Sequence, residues 1–378
     1  MADLSVELLG VRLKSPFLLS SGPLSHSGEA LLRAYAAGAG AVVTKTIRLK
    51  KADNPFPHMV RVAPGTLLNA EKWSDIEADR WINEEIPRAR AGGAVVVGSV
   101  GHTAEEARTL VGPVAIAGCS LIELVSYDPF SMVPMVEEAR KQTSLPILAK
   151  VSPGWPDLAR VAARCRQAGA DGITAGDSLG PTLRLDLASG RPLLGSDYGF
   201  GWLSGAAIFP IALRSVAEIA LGPGGPVVGV GGVMKAEDAL EMLYAGATAV
   251  GICTAAIMFG NGIFEKLNRG LAQLLDERGM ADPAAARGFS LPHLVPGEHR
   301  HHLTFSYDAA ACTDCKRCQD YCPYGARKVS RPAASPPPEM GHASRSSSLP
   351  QMSLDEELCR YCGYCVSICP PHALKATW

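Results

Sequence analysis

From residue 17 to residue 260 the chain alternates short apolar runs with longer amphipathic segments, and this alternation limits the possible folds most. The runs are FLLSS (17–21), AVVTKT (41–46), AVVVGSV (94–100), SLIELVS (120–126), PILAKV (146–151), DGITAG (171–176), PVVGVGG (226–232) and TAVGICT (248–254). Each is apolar almost throughout rather than at every second residue, so its strand needs cover on both faces. A parallel sheet flanked by helices supplies that cover. The intervening segments, such as GEALLRAYAAG, WPDLARVAARCRQAG and AEDALEMLYAG, have helical periodicity and close on Gly, as helix C-termini prefer. Eight such units predict a closed α/β barrel, (β/α)8, over residues 1–290, rather than an open doubly wound sheet.

In such a barrel the loops after the strands converge on one mouth. The run ends there are polar: Ser20-Ser21-Gly22, Lys45-Thr46, Ser99 to His102, Ser126-Tyr127-Asp128, Lys150, Asp177-Ser178, Gly231-Gly232 and Thr254. Ordinary loop polarity accounts for part of this. Lys45 and Lys150 ask for more, because an ammonium at the end of an apolar strand is costly unless an anion meets it. That anion is either a ligand or the partner in an internal ion pair.

A different pattern begins after the barrel. Residues 291–305 read as a polar linker, in which His299, His301 and His302 are solvated rather than metal ligands. Residues 306–378 hold eight of the eleven cysteines. Cys312, Cys315, Cys318 and Cys322 follow C-x2-C-x2-C-x3-C with Pro323 next, and Cys359, Cys362, Cys365 and Cys369 repeat it before Pro370. This is the bacterial ferredoxin run for two [4Fe–4S] clusters, the fourth cysteine of each run serving the other cluster. The first cluster then takes Cys312, Cys315, Cys318 and Cys369, the second Cys359, Cys362, Cys365 and Cys322. Zinc modules usually pair two C-x2-C units instead. The Ser/Pro-rich stretch 330–353 reads as a flexible insertion in this module. Cys119, Cys165 and Cys253 read as small buried hydrophobes of the barrel.

Clusters carry single electrons, so a redox barrel beside them needs a centre that converts these into two-electron steps, as flavin does. GVGGVMKAEDAL and GICTAAI follow the seventh and eighth runs, where a barrel's Gly-rich turns and helix N-termini cradle phosphate. Gly229, Gly231 and Gly232 do not form G-x-G-x-x-G, and no dinucleotide-binding unit is visible, which favours FMN over NAD or FAD. Net charge is −1, which offers no footprint for nucleic acid or an acidic membrane. The N-terminus MADLSVELLGVRLK lacks signal-peptide features, and no run approaches the ~20 apolar residues of a membrane span. Regular cysteine spacing without an export signal favours cluster ligation over disulfides, and the expected location is the cytoplasm.

The stretches SPFLLSSG (15–22), VVTKTI (42–47), NPFPHMVRV (54–62), LLNA (67–70), ILAKVSP (147–153), ADGITAGDS (170–178), LSGAAIFPIALR (203–214), GVGGV (229–233) and GATAVGICTAAI (246–257) resemble the dihydroorotate dehydrogenase family, in order and over nearly the whole barrel. The nearest arrangement is the FMN barrel plus ferredoxin module of the dihydropyrimidine dehydrogenase catalytic subunit. The resemblance implies FMN, with Ser21 and Gly22 beside its ring system and Lys45 and Thr46 near the polar edge. It puts Asn69 between flavin and substrate, Lys150 against the reduced flavin, and Ser178 among the flavin contacts. Gly205, Gly231, Gly232, Thr254 and Ala255 would hold the phosphate.

The chain departs from that family at three substrate-facing positions. Where the family reads Asn-Leu-Ser-Cys-Pro after the fourth strand, this chain reads Val125-Ser126-Tyr127-Asp128-Pro129, and Asp177 replaces an asparagine after the sixth. Unmatched polar groups are expensive to bury, so these changes argue against a pyrimidine. The expected activity is CH–CH (C=C) oxidoreduction of a small unsaturated, non-pyrimidine substrate. Tyr127 is the candidate proton donor, with Ser126, Asp128, Asp177 and His102 as alternatives; equally, Tyr127 could simply fill volume and Asp128 cap the next helix. Lacking a nicotinamide site, the chain would exchange electrons with a ferredoxin or a separate NAD(P)H/FAD reductase subunit, as a homodimer or hetero-oligomer. Two other readings are a dihydropyrimidine or dihydroorotate dehydrogenase subunit with an atypical acid/base, and an electron-transfer subunit that binds no organic substrate.

Overall fold

The computed structural model describes residues 2–222, 225–294, 296, 303–331 and 349–377. Contacts divide the chain into two units, residues 1–295 and 296–378.

The first unit is a closed barrel of eight parallel strands: β1 (Phe17–Leu19), β2 (Ala41–Val43), β3 (Val96–Gly101), β4 (Leu121–Val125), β5 (Ile147–Val151), β6 (Gly172–Ala175), β7 (Val227–Val230) and β8 (Ala249–Ile252). Each strand lies within one of the eight apolar runs and pairs with its neighbours in chain order, β8 returning to β1 through Gly251 opposite Leu18. The continuous apolarity has the expected cause: every residue of these strands is buried. Leu18, Ala41, Val97, Leu121, Leu148 and Val228 fill the interior, and Leu8 and Leu13 of an N-terminal hairpin (Val6–Leu8 with Val11–Leu13) join the same cluster. Residues on the other faces pack against the helices in a larger cluster around Trp81, Phe17 and Phe264.

Short strands from two long loops add an antiparallel sheet of four: Met59–Ala63, Thr66–Asn69, Gly201–Gly205 and Leu179–Thr182. After β4 the chain turns at once into helix Pro129–Gln142. Asp128 is its N-cap, accepting from the Phe130 amide at 3.0 Å and the Ser131 hydroxyl at 2.6 Å. Capping is what Asp128 does here, so it drops out as an acid.

In the second unit Thr304–Tyr307 pairs with Leu374–Thr377, and Arg327–Ser330 with Gln351–Leu354, all antiparallel. Ser330 faces Gln351, so the flanks of the Ser/Pro-rich stretch are paired strand rather than loose chain. Residues 332–348 lie outside the described residues, as do His299, His301 and His302. Among the described residues no helix is long and apolar enough to cross a membrane.

Candidate active site and cysteine cavities

A cleft of about 840 Å³, counted with its open mouth, occupies the ends of the barrel strands. Ser21, Gly22, Lys45, Thr46, Asn69, Lys150, Asp177, Ser178 and Thr254 line it, together with Val125 and Tyr127. Ser126, His102, Gly205, Gly231, Gly232 and Ala255 do not.

The floor is a network of paired groups. Ser21 Oγ lies 3.1 Å from Thr46 Oγ1, which lies 2.9 Å from the buried Ser99 Oγ. Lys45 Nζ donates to Glu71 Oε1 at 2.7 Å and is 3.8 Å from Asp75. The ion-pair reading of Lys45 is therefore realised, on the cleft wall itself. Lys150 Nζ is 3.5 Å from Asp177 Oδ2. Burial works to lower the Lys150 pKa, but the negative charges of Asp177 and Glu123 outweigh it and the net direction is upward, so the side chain stays cationic. Glu123, inside the barrel, accepts from Thr174 Oγ1 at 2.9 Å, while its Oε1 has no partner among the described residues. Burial raises its pKa against the opposing effect of Lys150.

The glycines have a packing cause. A Cβ on Gly22 would lie 2.7 Å from Cys253 Sγ. Gly205 and Gly232 have φ of +87° and +76°, and their Cβ atoms would meet Gly65 O at 2.1 Å and Phe209 Cα at 2.6 Å. The Gly205 position also approaches Thr254 Cγ2 to 3.0 Å, and Thr254 Oγ1 is 3.0 Å from Ser204 Oγ. Two loop turns and the start of helix Thr254–Phe259 thus meet beside the cleft, a donor-rich corner suited to an anion.

Aromatic rings form the opposite wall. Tyr127 lies between Trp73, with centroids 4.8 Å apart, and Trp202, at 5.5 Å; His102 stacks on Trp73 at 5.5 Å. Glu106 anchors this group, binding Arg48 Nε at 2.5 Å and the His102 amide at 2.7 Å, while the Arg48 guanidinium sits 5.5 Å from the Trp73 ring. The Tyr127 phenol makes no hydrogen bond to the described residues, and burial together with the charges of Asp177 and Glu71 pushes its pKa up. Tyr127 and those two carboxylates line the same cleft. His102 is held away, its pKa lowered by burial and by Arg48. Ser126 Oγ is spent on the Asp128 amide at 3.1 Å.

Sequence reasoning missed Glu71, Trp73, Trp202, Ser204 and Cys253 as parts of this site. Cys253 lines the cleft, and burial pushes its thiol up to about 12, so it is a neutral wall group. Glu123 was visible as a lone charge in an apolar run.

In the second unit, two separate cavities of about 340 and 320 Å³ are each lined by four cysteines. One has Cys312, Cys315, Cys318 and Cys369; the other has Cys359, Cys362, Cys365 and Cys322. The exchange of the fourth cysteine is thus present in the fold. Burial and the sulfurs of Cys369, Cys312 and Cys315 raise the Cys318 pKa, which shows the four facing one space. The backbones repeat too: the amides of Asp314 and Tyr361 each approach the run's first sulfur at 3.4 Å. Among the described residues no three His, Cys, Asp or Glu side chains converge as on one ion. Four thiols instead line each cavity, the number of cysteines that a [4Fe–4S] cluster takes.

A closed parallel barrel with a cationic, anion-ready mouth, joined to a cysteine-lined cluster unit, defines a cofactor-dependent redox enzyme. Residues 125–275 match the family model "Dihydroorotate dehydrogenase", and residues 311–373 match "4Fe-4S dicluster domain". The catalytic subunit of dihydroorotate dehydrogenase B (NAD(+)) from Geotalea daltonii is 33% identical over 296 residues, covering 74% of this chain and 95% of that protein. The same-named subunit from Methanothermobacter thermautotrophicus is 33% identical over 295 residues, with the same coverage, and that from Thermoplasma acidophilum 32% over 291, covering 73% and 95%. The chain belongs to the dihydroorotate dehydrogenase family and is an oxidoreductase acting on CH–CH groups.

Proposed function

We propose that the protein is an FMN- and iron–sulfur-dependent enzyme that interconverts a C–C and a C=C bond in a small non-pyrimidine substrate. Electrons pass through two [4Fe–4S] clusters to or from a ferredoxin or a separate NAD(P)H/FAD reductase subunit. The observation that carries the substrate reading is the cleft wall itself. Three of the positions that depart from the family pattern, Val125, Tyr127 and Asp177, line it, and Asp177 is committed to Lys150 at 3.5 Å. None of these three offers an amide to read a pyrimidine edge, and the Asn69 amide nitrogen on the same cleft donates to Trp202 O at 3.2 Å.

The residues present fit FMN: a flat cleft floor of hydroxyls, a buried cation, glycines that admit close approach, and a donor-rich corner by Thr254. Bound FMN supplies hydride at its ring and exchanges electrons singly. Lys150 would hold positive charge beside such a group, and Lys45, tied to Glu71, would shape the polar edge. The Tyr127 hydroxyl would give its proton to the substrate carbon next to the one that is reduced. The sheltered setting of the hydroxyl and the charges of Asp177 and Glu71 disfavour charge on this phenol, while the residue as a whole is 44% exposed, so water would restore the proton.

A second reading is favoured by the names of the relatives: a dihydroorotate dehydrogenase catalytic subunit with an atypical acid/base. Reoxidation of the reduced enzyme by orotate, uracil and a panel of 2-enoates, cyclic enones and enoyl thioesters separates the two. We expect turnover with a member of the panel; rapid turnover of orotate or uracil establishes the second reading. Tyr127→Phe should lower kcat by about 10²-fold or more, and full activity in that variant rejects the acid.

A further inference from the structure

The two cysteine cavities are near-copies, and one position sets them apart. Five residues after the fourth cysteine of the first run stands Arg327; five after that of the second stands Leu374. Each lines the cavity whose fourth ligand is the cysteine's destination: Arg327 the cavity of Cys359, Cys362, Cys365 and Cys322, Leu374 the other. Both are almost fully buried, at 5% and 2% exposure. The other cations on the two cavities, Lys316 and Arg360, are exposed and one to each, so they balance.

Arg327 has no carboxylate partner among the described residues. Its guanidinium lies 4.1 Å over the Phe305 ring and touches Met352 Sδ at 3.8 Å, while Nε and Nη2 have no hydrogen-bond partner. A buried guanidinium with idle donors is costly unless an anion faces it. The space it faces is the one that Cys322, Cys359, Cys362 and Cys365 line.

We infer that Arg327 makes the two clusters unequal, holding the cluster of Cys359, Cys362, Cys365 and Cys322 at the higher reduction potential, so that it takes the first electron. Adding an electron makes a cluster more negative. A fixed cation in a low-dielectric wall stabilises that state, and N–H donors to sulfur act in the same direction. Leu374 supplies neither to the other cluster. Arg327 is thus a tuning residue, acting on the clusters and not on the substrate.

The test is a redox titration of the holoenzyme followed by electron paramagnetic resonance. Wild type should show two separated one-electron steps. Arg327→Leu, which copies the repeat, should keep full iron content while the upper step moves down toward the lower one; Arg327→Lys should keep most of the separation. Because the charge is buried, the wild-type separation should barely change between low and high salt, whereas an exposed-charge origin would collapse it. Unchanged potentials in an iron-replete Arg327→Leu, or movement of the lower step instead, overturn the assignment. If Arg327→Leu loses iron, Arg327→Gln and the salt series decide it: salt-sensitive separation rejects the role.

Discussion

The cysteine unit and the barrel mouth solve the same problem, holding a group in place, with opposite use of the chain. Each cysteine cavity draws three thiols from one short run and a single thiol from the other. At the mouth, the paired side chains come from distant segments: Ser21 with Thr46, Lys45 with Glu71, Lys150 with Asp177, Tyr127 with Trp73 and Trp202. A site of the first kind is modular, and its one long-range member is its weak point. A site of the second kind exists only when the whole barrel closes, so a change in one wall group disturbs the fold as well as the ligand.

The largest effect should come from the exchanged cysteines. Cys322→Ser should lose the cluster of the second run, so its residual paramagnetic resonance signal should match that of Cys359→Ser, and Cys369→Ser should match Cys312→Ser. If Cys322→Ser matches Cys312→Ser instead, each run is self-contained and the contrast with the mouth becomes complete. Next, Lys150→Met leaves the buried Glu123 and the partly buried Asp177 without their cation. We expect a loss of about 3 kcal/mol in denaturant unfolding, together with poor flavin retention; loss of flavin alone would make the mouth as modular as the cysteine unit. The Lys150 ammonium is raised above its ordinary 10.5, so its stabilisation is complete below that pH and is lost as pH rises through the folded value.

The smallest effect is expected behind the aromatic wall. Burial tends to raise the Glu106 pKa, but Arg48 and the His102 and Leu49 amides outweigh it and hold it below the ordinary 4.5. Its contribution is present above that value and disappears as pH falls through the folded one. Glu106→Gln should cost about 2 kcal/mol near neutral pH and flatten the acid limb of a melting-temperature profile. An unchanged limb would mean that the wall does not depend on this anchor.

How much was legible follows the same division. The eight strands were readable because a strand buried on both faces must be apolar along its length, and no other element of this chain needs that. The grouping of the cysteines around two cavities was readable, exchange of the fourth cysteine included, because the repeated local spacing sets it. The four-stranded sheet was not: MVRVA, LGPT and GWLSG are short and only partly buried, TLLN is buried but only four residues long, and they are strands only because they pair with one another. Trp73 and Trp202 belonged to no motif, and their role arises from the rings they meet. His102 and Ser126 had the right chemistry at the right strand ends, yet local hydrogen bonds turn them from the cleft.

Residue type and spacing along the chain determined the barrel, the cluster ligands and the collection of polar groups at the strand ends, since each depends on periodicity or on neighbours within a few positions. Which of those groups share a wall, that Lys45 answers Glu71 and Lys150 answers Asp177, that Tyr127 stands between two indoles, and that Arg327 rather than Leu374 faces one cluster's cavity were decided only by the tertiary structure. The reason is that burial and Coulomb energy depend on distance in space, and barrel closure brings together residues that the sequence holds far apart.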